Sequence, residues 1–202
     1  MNIVIKKAAI RNSIFLTYEF DQHDADVKNG IKTSSDAPIH DDLKAAFRAL
    51  IPHFAFICEE ITNEDLVQDA IERPESYLED RENSASLDFF KFYVNEFSII
   101  DKKGLNFVTI SGNKQLTDGD VVSFSAPAID LDGGNYKFMY ELKEAVEVLK
   151  REVLAYMQGK QAPKAQLEMF EGDEESGEAF GDVTDIPKQT KTSKKKAVES
   201  VE

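Results

Sequence analysis

The chain is poor in the residues that build crosslinks and most active sites. A single cysteine, Cys58, stands among 202 residues. No disulfide framework can form, and a reducing, cytosolic setting is expected. Cys58 falls on an apolar helical face and reads as a small core residue. No apolar run is long enough to span a bilayer. The opening Met1–Lys7 lacks the apolar stretch and cleavage site of a signal peptide and reads as a strand. No Gly-x-Gly-x-x-Gly, P-loop or nucleophile elbow occurs. Cations are also in deficit: 24 Lys and Arg face 38 Asp and Glu, a net charge of −14. That balance disfavours generic attraction to nucleic acid or anionic membrane. It leaves room for a local basic groove, although the body's Lys and Arg are scattered with no visible stripe. An acidic protein can also mimic DNA, but a plain acidic surface is far commoner.

The three histidines give little more. His23 lies among Asp21, Asp24 and Asp26, without the spacing or closing Glu of a calcium loop, and reads as part of a solvated turn. His40-Asp41-Asp42 resembles the His-Asp pair of metal phosphohydrolases. Those enzymes need further His and Asp ligands on other helices, and His53 is the only histidine left. No catalytic site, metal or cofactor is therefore expected.

What is present is a patterned body and a differently composed tail. Residues 2–10 and 13–20 read as strands joined at Arg11-Asn12, the second alternating Ile14, Leu16, Tyr18 and Phe20 with Phe15, Thr17 and Glu19. Residues 21–30 read as a polar turn with Asn29-Gly30 as its signal. A short strand, Ile31–Ser34, follows. Leu43, Phe47, Leu50, Phe54, Ile57 and Ile61 recur at helical spacing, and their phase through Pro52 predicts one long kinked helix. Asn63 suits the cap of a helix over Glu64–Ile71. Residues 72–88 are acidic and expected to form a mobile loop. Three strands then read as Phe89–Ile100, Leu105–Lys114 and Val121–Ala126, with Ser111-Gly112-Asn113 as a strand end. Asn135 is the expected cap of a last helix, Tyr136–Gln158, with the stripe Met139, Leu142, Val146, Leu149, Val153 and Tyr156. The order ββ(β)α(α)βββα predicts an α+β domain over residues 1–160, a largely antiparallel sheet packed against two long helices.

Two features of the sequence bear on function. Phe89, Phe90, Phe92, Tyr93, Phe97 and Phe107 crowd the strands of the second half, with Lys91, Lys102, Lys103 and Lys114 nearby. Aromatics on a sheet face can stack the bases of single-stranded DNA while lysines contact phosphates. Lys91, Phe92, Tyr93, Lys102, Lys103, Phe107 and Lys114 are the candidate residues for that role, and a sheet core is the commoner use of such aromatics. The second feature is the tail, residues 161–202. Past Pro163 the chain becomes acidic and poor in aliphatics, and disorder is expected. Yet Leu167, Met169 and Phe170 stand at its head. Such anchors serve as a docking peptide or fold back as a latch on their own domain.

Gln166-Leu167-Glu168-Met169-Phe170 resembles the bacterial sliding-clamp-binding pentapeptide. The resemblance implies that Gln166 bonds at the pocket rim while Leu167, Met169 and Phe170 fill it, Met169 replacing the usual Leu. Asp182–Pro187 resembles the acidic tip of bacterial single-stranded-DNA-binding proteins, followed here by the lysines 188, 191 and 194–196. As a whole, Ala37–Leu43, Leu105–Leu116 and Ala162–Phe170 resemble proteins encoded by phages of gut bacteria among replication and recombination genes. That resemblance implies a phage accessory protein of DNA metabolism in the host-cell cytoplasm, with a sliding clamp and single-stranded DNA as expected partners. The alternative is an acidic phage counter-defence protein acting on a host effector.

Overall fold

The computed structural model describes residues 2–24, 27–79 and 86–163. The architecture is α+β, an antiparallel seven-stranded sheet with helices on one face. Strands β1 (Asn2–Arg11), β2 (Phe15–Asp24) and β3 (Val27–Pro38) form one meander. Helices α1 (Asp41–Arg48), α2 (Ile51–Ile57) and α3 (Glu64–Glu72) follow. A π-helical turn, Glu75–Glu79, and a 3-10 turn, Ser86–Lys91, lead into β4 (Phe92–Lys102), β5 (Leu105–Gln115), β6 (Val121–Ser125) and the short β7 (Ile129–Asp130). Helix α4 (Met139–Met157) closes the body. The two meanders join through β1 and β4, giving the order β3-β2-β1-β4-β5-β6 with β7 also on β5.

Strand period explains which side is covered. Ile5, Ala8 and Leu16, then Phe92, Val94, Phe97, Ile99, Val108 and Ile110, are buried and point toward the helices. They meet Leu43, Phe47, Leu50 and Phe54 from α1 and α2, and Leu142, Val146, Leu149 and Val153 from α4. Bulges at Ile5/Lys7 in β1 and Val94/Glu96 in β4 reset the alternation, so the apolar set stays inward past each of them. Among the described residues the other face carries no helix. Cross-strand ion pairs Lys7–Glu96, Lys32–Glu19 and Lys28–Asp21 lie across it, with a Ser111–Ser125 hydroxyl pair.

Several expectations are corrected. The long kinked helix is two short helices, α1 and α2, broken at Ala49-Leu50. Pro52 sits in the first turn of α2, where its missing N–H would have had no partner, so a fresh helix start costs less than a kink. Asn29-Gly30 is not a turn but part of the edge strand β3, paired with Gln22 and Asp21. Ser111-Gly112-Asn113 lies inside β5, and α4 begins at Met139 after Phe138, so Asn135 does not cap it. Within 72–88, Tyr77 of the π-helical turn is buried edge-on against Phe89. Asn63 does cap α3, accepting from the Leu66 N–H at 3.2 Å.

Candidate functional site

The seven candidate nucleic-acid residues do not share one surface. Phe92 is 3% exposed on the helix side, edge-on to Phe54, so its ring is closed to a base. Its cross-strand partner Lys114 lies over that ring and pairs with Glu60. Lys91 pairs with Asp88 at 2.9 Å. Lys102 and Phe107 meet on the open face, ammonium 5.3 Å from the ring centre, and Lys103 turns the β4–β5 hairpin with φ +59. Nine residues of strand, about 30 Å, separate that corner from Tyr93.

Tyr93 is the exception. It is 44% exposed and lines a groove of about 450 Å³ where the β1–β2 turn, α1 and the start of β4 converge. Asn12 and Ser13 hold left-handed backbone there, with φ +49 and +60, which lets three residues turn β1 into β2. Lys44 and Arg48 come from successive turns of α1, Asn95 from the β4 bulge and Asn113 from opposite Tyr93 on β5, with Phe47 and Ile51 beneath. The charged residues of this lining are both cations. Lys44 also pairs with Asp41 at 3.0 Å. The bulge that aims Tyr93 depends on Gly112. A Cβ there would lie 2.2 Å from the Tyr93 carbonyl oxygen and 3.1 Å from Phe54 Cε1. Sequence reasoning found Tyr93 and missed Lys44, Arg48 and the asparagines. Its one available signal was the i, i+4 spacing of the two cations on α1.

A second cleft, about 650 Å³, has the opposite character. Phe56, Ile57, Pro127, Ala128, Ile129 and Tyr136 make its apolar walls, and its charged lining is Glu59, Glu64 and Asp130. Behind it, the Tyr136 hydroxyl and His53 Nδ1 lie 2.9 Å apart. Burial pushes His53 down to about 4 and drives Tyr136 well above its usual range, so the phenol donates to a neutral imidazole. Cys58, beside this cleft, is pushed up to about 11 by burial and by Glu60, which keeps its thiol protonated.

The clamp-binding candidates Gln166, Leu167, Met169 and Phe170 lie outside the described residues, and the path toward them is anchored. The Ala162 N–H donates to the Pro38 carbonyl at 3.1 Å, and Lys160 Nζ lies 2.7 Å from both Asp42 and Glu152. His40, Asp42 and Glu152 are close enough to hold a metal ion. His40 is 7% exposed and its Nε2 lacks a hydrogen-bond partner. Its Nδ1 accepts from the Leu43 N–H at 3.1 Å to cap α1, which places the imidazole proton on Nε2 rather than a lone pair. The Lys160 ammonium occupies the position between the two carboxylates, so the group acts as a clasp between α1 and α4. At the earlier histidine, His23 lies opposite Lys28 in the β2–β3 ladder, and Asp21 pairs with Lys6 and Lys28.

Among the described residues no helix is long and apolar enough to cross a membrane. Comparison of the chain with protein-family models, curated proteins and solved structures finds no match.

Proposed function

We propose that the chain is a non-enzymatic accessory protein of phage DNA replication or recombination. Its body engages single-stranded DNA at the Tyr93 groove, and Gln166–Phe170 tethers it to a sliding clamp. The observation that carries the DNA half is the lining of that groove. In a chain of net charge −14, Lys44 and Arg48 stand beside a half-exposed aromatic ring with no carboxylate among the described lining residues. A base stacked on Tyr93 gains without sequence readout, the two cations suit its flanking phosphates, and Asn12, Asn95 and Asn113 offer amide donors and acceptors. The clamp half rests on the pentapeptide alone.

The test is fluorescence anisotropy of the full chain against a labelled oligothymidylate and against labelled host clamp. Tyr93→Ala is expected to weaken DNA binding by about 1–3 kcal/mol, roughly 5- to 150-fold in Kd. Phe107→Ala, at the far corner, leaves it unchanged. Replacing Gln166, Leu167 and Phe170 by Ala abolishes clamp binding and leaves DNA binding intact. DNA affinity indifferent to Tyr93→Ala would sink the groove assignment, and clamp binding that survives the triple variant would sink the tether. Salt-sensitive binding to a basic host protein, with silence toward DNA, would favour the counter-defence reading instead.

A further inference from the structure

The acid-lined cleft has no part in the function proposed above. Its composition describes what would fill it: an apolar floor of Phe56, Ile129 and Tyr136 under Glu59, Glu64 and Asp130. Glu64 also pairs with Lys137 at the rim, so the cleft keeps a net negative lining beside one cation. Glu59 is placed there at a conformational cost. It occupies the left-handed position that ends α2, φ +58, where glycine is the residue of low strain. Its N–H bonds to the Phe56 carbonyl at 3.0 Å, and the turn projects the carboxylate over the cleft. The opposite wall needs Gly134, since a Cβ there would lie 2.5 Å from the Asp130 carbonyl oxygen.

We propose that this cleft receives the lysine-rich part of the chain's own tail, with Ile186-Pro187 on the apolar floor and the lysines 188, 191 and 194–196 against the three carboxylates. Charge complementarity is the first support. The cleft is acidic, and these five lysines, which follow an apolar pair, are five of the six cations in a tail of ten carboxylates. Reach is the second. The cleft lies at the N-terminal end of α4 and the tail leaves beside its C-terminal end, some 20–30 Å away at 1.5 Å per helical residue. Twenty-four residues separate Pro163 from Lys188. A flexible chain of that length averages about 25–30 Å end to end, which is the match of span and linker that maximises effective concentration. Docking in this way closes a loop around residues 164–187, so a partner that captures that loop competes with the cleft, and a basic partner at the cleft releases the loop.

The experiment places a nitroxide on the tail of the full chain through Ser193→Cys and reads amide line broadening in the ¹⁵N-labelled body. Cys58 is half-buried and its thiol stays protonated, so at neutral pH the label reacts at the introduced thiol. Thr62, Ile129, Asp130 and Tyr136 are expected to lose most of their intensity. They recover in high salt and in the tail variant Lys194→Glu, Lys195→Glu, Lys196→Glu. They also recover in the double variant Glu59→Gly, Glu64→Gln. The Glu59→Gly half relieves the backbone while removing a carboxylate, so loss of folding does not confuse the result. Broadening that is absent, uniform or centred on the Tyr93 groove overturns the proposal. So does broadening that appears only when a labelled, isotope-free copy is mixed in, which would make the occupant a second chain's tail. Broadening that persists in the double variant overturns the charge pairing.

Discussion

Burial sets the chemistry of His53. The ring is 1% exposed and held at about 4, well below the 6.5 of a free histidine. The folded chain therefore refuses a proton that the unfolded chain accepts. Above pH 6.5 both states are neutral and the stability is fully present; as pH falls toward 4 the unfolded state gains protons first and stability drains away. The loss over that window is about 3 kcal/mol, from roughly 1.4 kcal/mol per unit of pKa difference. Urea unfolding at pH 7.5 and at 4.5 measures it, and His53→Gln is expected to flatten that part of the slope while costing stability at both pH values. An equal slope in the variant would assign the acid sensitivity to carboxylates. Little of this was visible beforehand. His53 sits on an apolar helical stripe in the sequence, which announces burial, but its partner Tyr136 is 83 residues away and only the fold joins them.

At the scale of elements, β4 and β5 show how a strand pair aims a side chain. The Val94/Glu96 bulge turns Tyr93 outward, and it needs a residue without Cβ opposite. Gly112→Ala is expected to push the two strands apart, lowering stability by about 1–3 kcal/mol and weakening oligothymidylate binding with it. Gly30→Ala is the control. Its nearest contact would be an ordinary 3.7 Å to Asp21 Oδ1, and an alanine in a strand loses less entropy on folding, so thermal unfolding should show it neutral or slightly stabilised. Elements with strong periodicity were legible: the β1–β2 hairpin, β4, β5 and the Leu142–Tyr156 stripe of α4 all follow from alternation or helical spacing. Local signals failed where tertiary pairing outweighed them. Asn29-Gly30 reads as a turn by itself, yet β2 continues to Asp24 and supplies partners that keep both residues extended. Pro52 stands on a continuous apolar stripe, and periodicity alone does not distinguish a kink from two helices in phase.

Taken as a whole molecule, the chain separates its charge by place. Among the described residues, the carboxylates Glu59, Glu64 and Asp130 line one cleft, while the cations Lys44 and Arg48 line the Tyr93 groove. The sequence pattern could not reveal this, because the groove draws on β1–β2, α1, β4, β5 and β6 and no stretch of chain holds two of its walls together. The consequence is a shallow salt dependence. Single-stranded DNA releases about 0.7 counterions per phosphate neutralised, so two groove cations predict a slope of log K against log salt near −1.4 at most. Arg48→Ala should bring the slope to about −0.7, whereas a charge-neutral change at Tyr93 lowers affinity and leaves the slope alone. A measured slope several times steeper would mean that lysines far from the groove, such as Lys102 and Lys103 at the β4–β5 turn, hold the DNA. The open sheet face rather than the groove would then be the binding surface, and Phe107→Ala would become the variant that loses affinity.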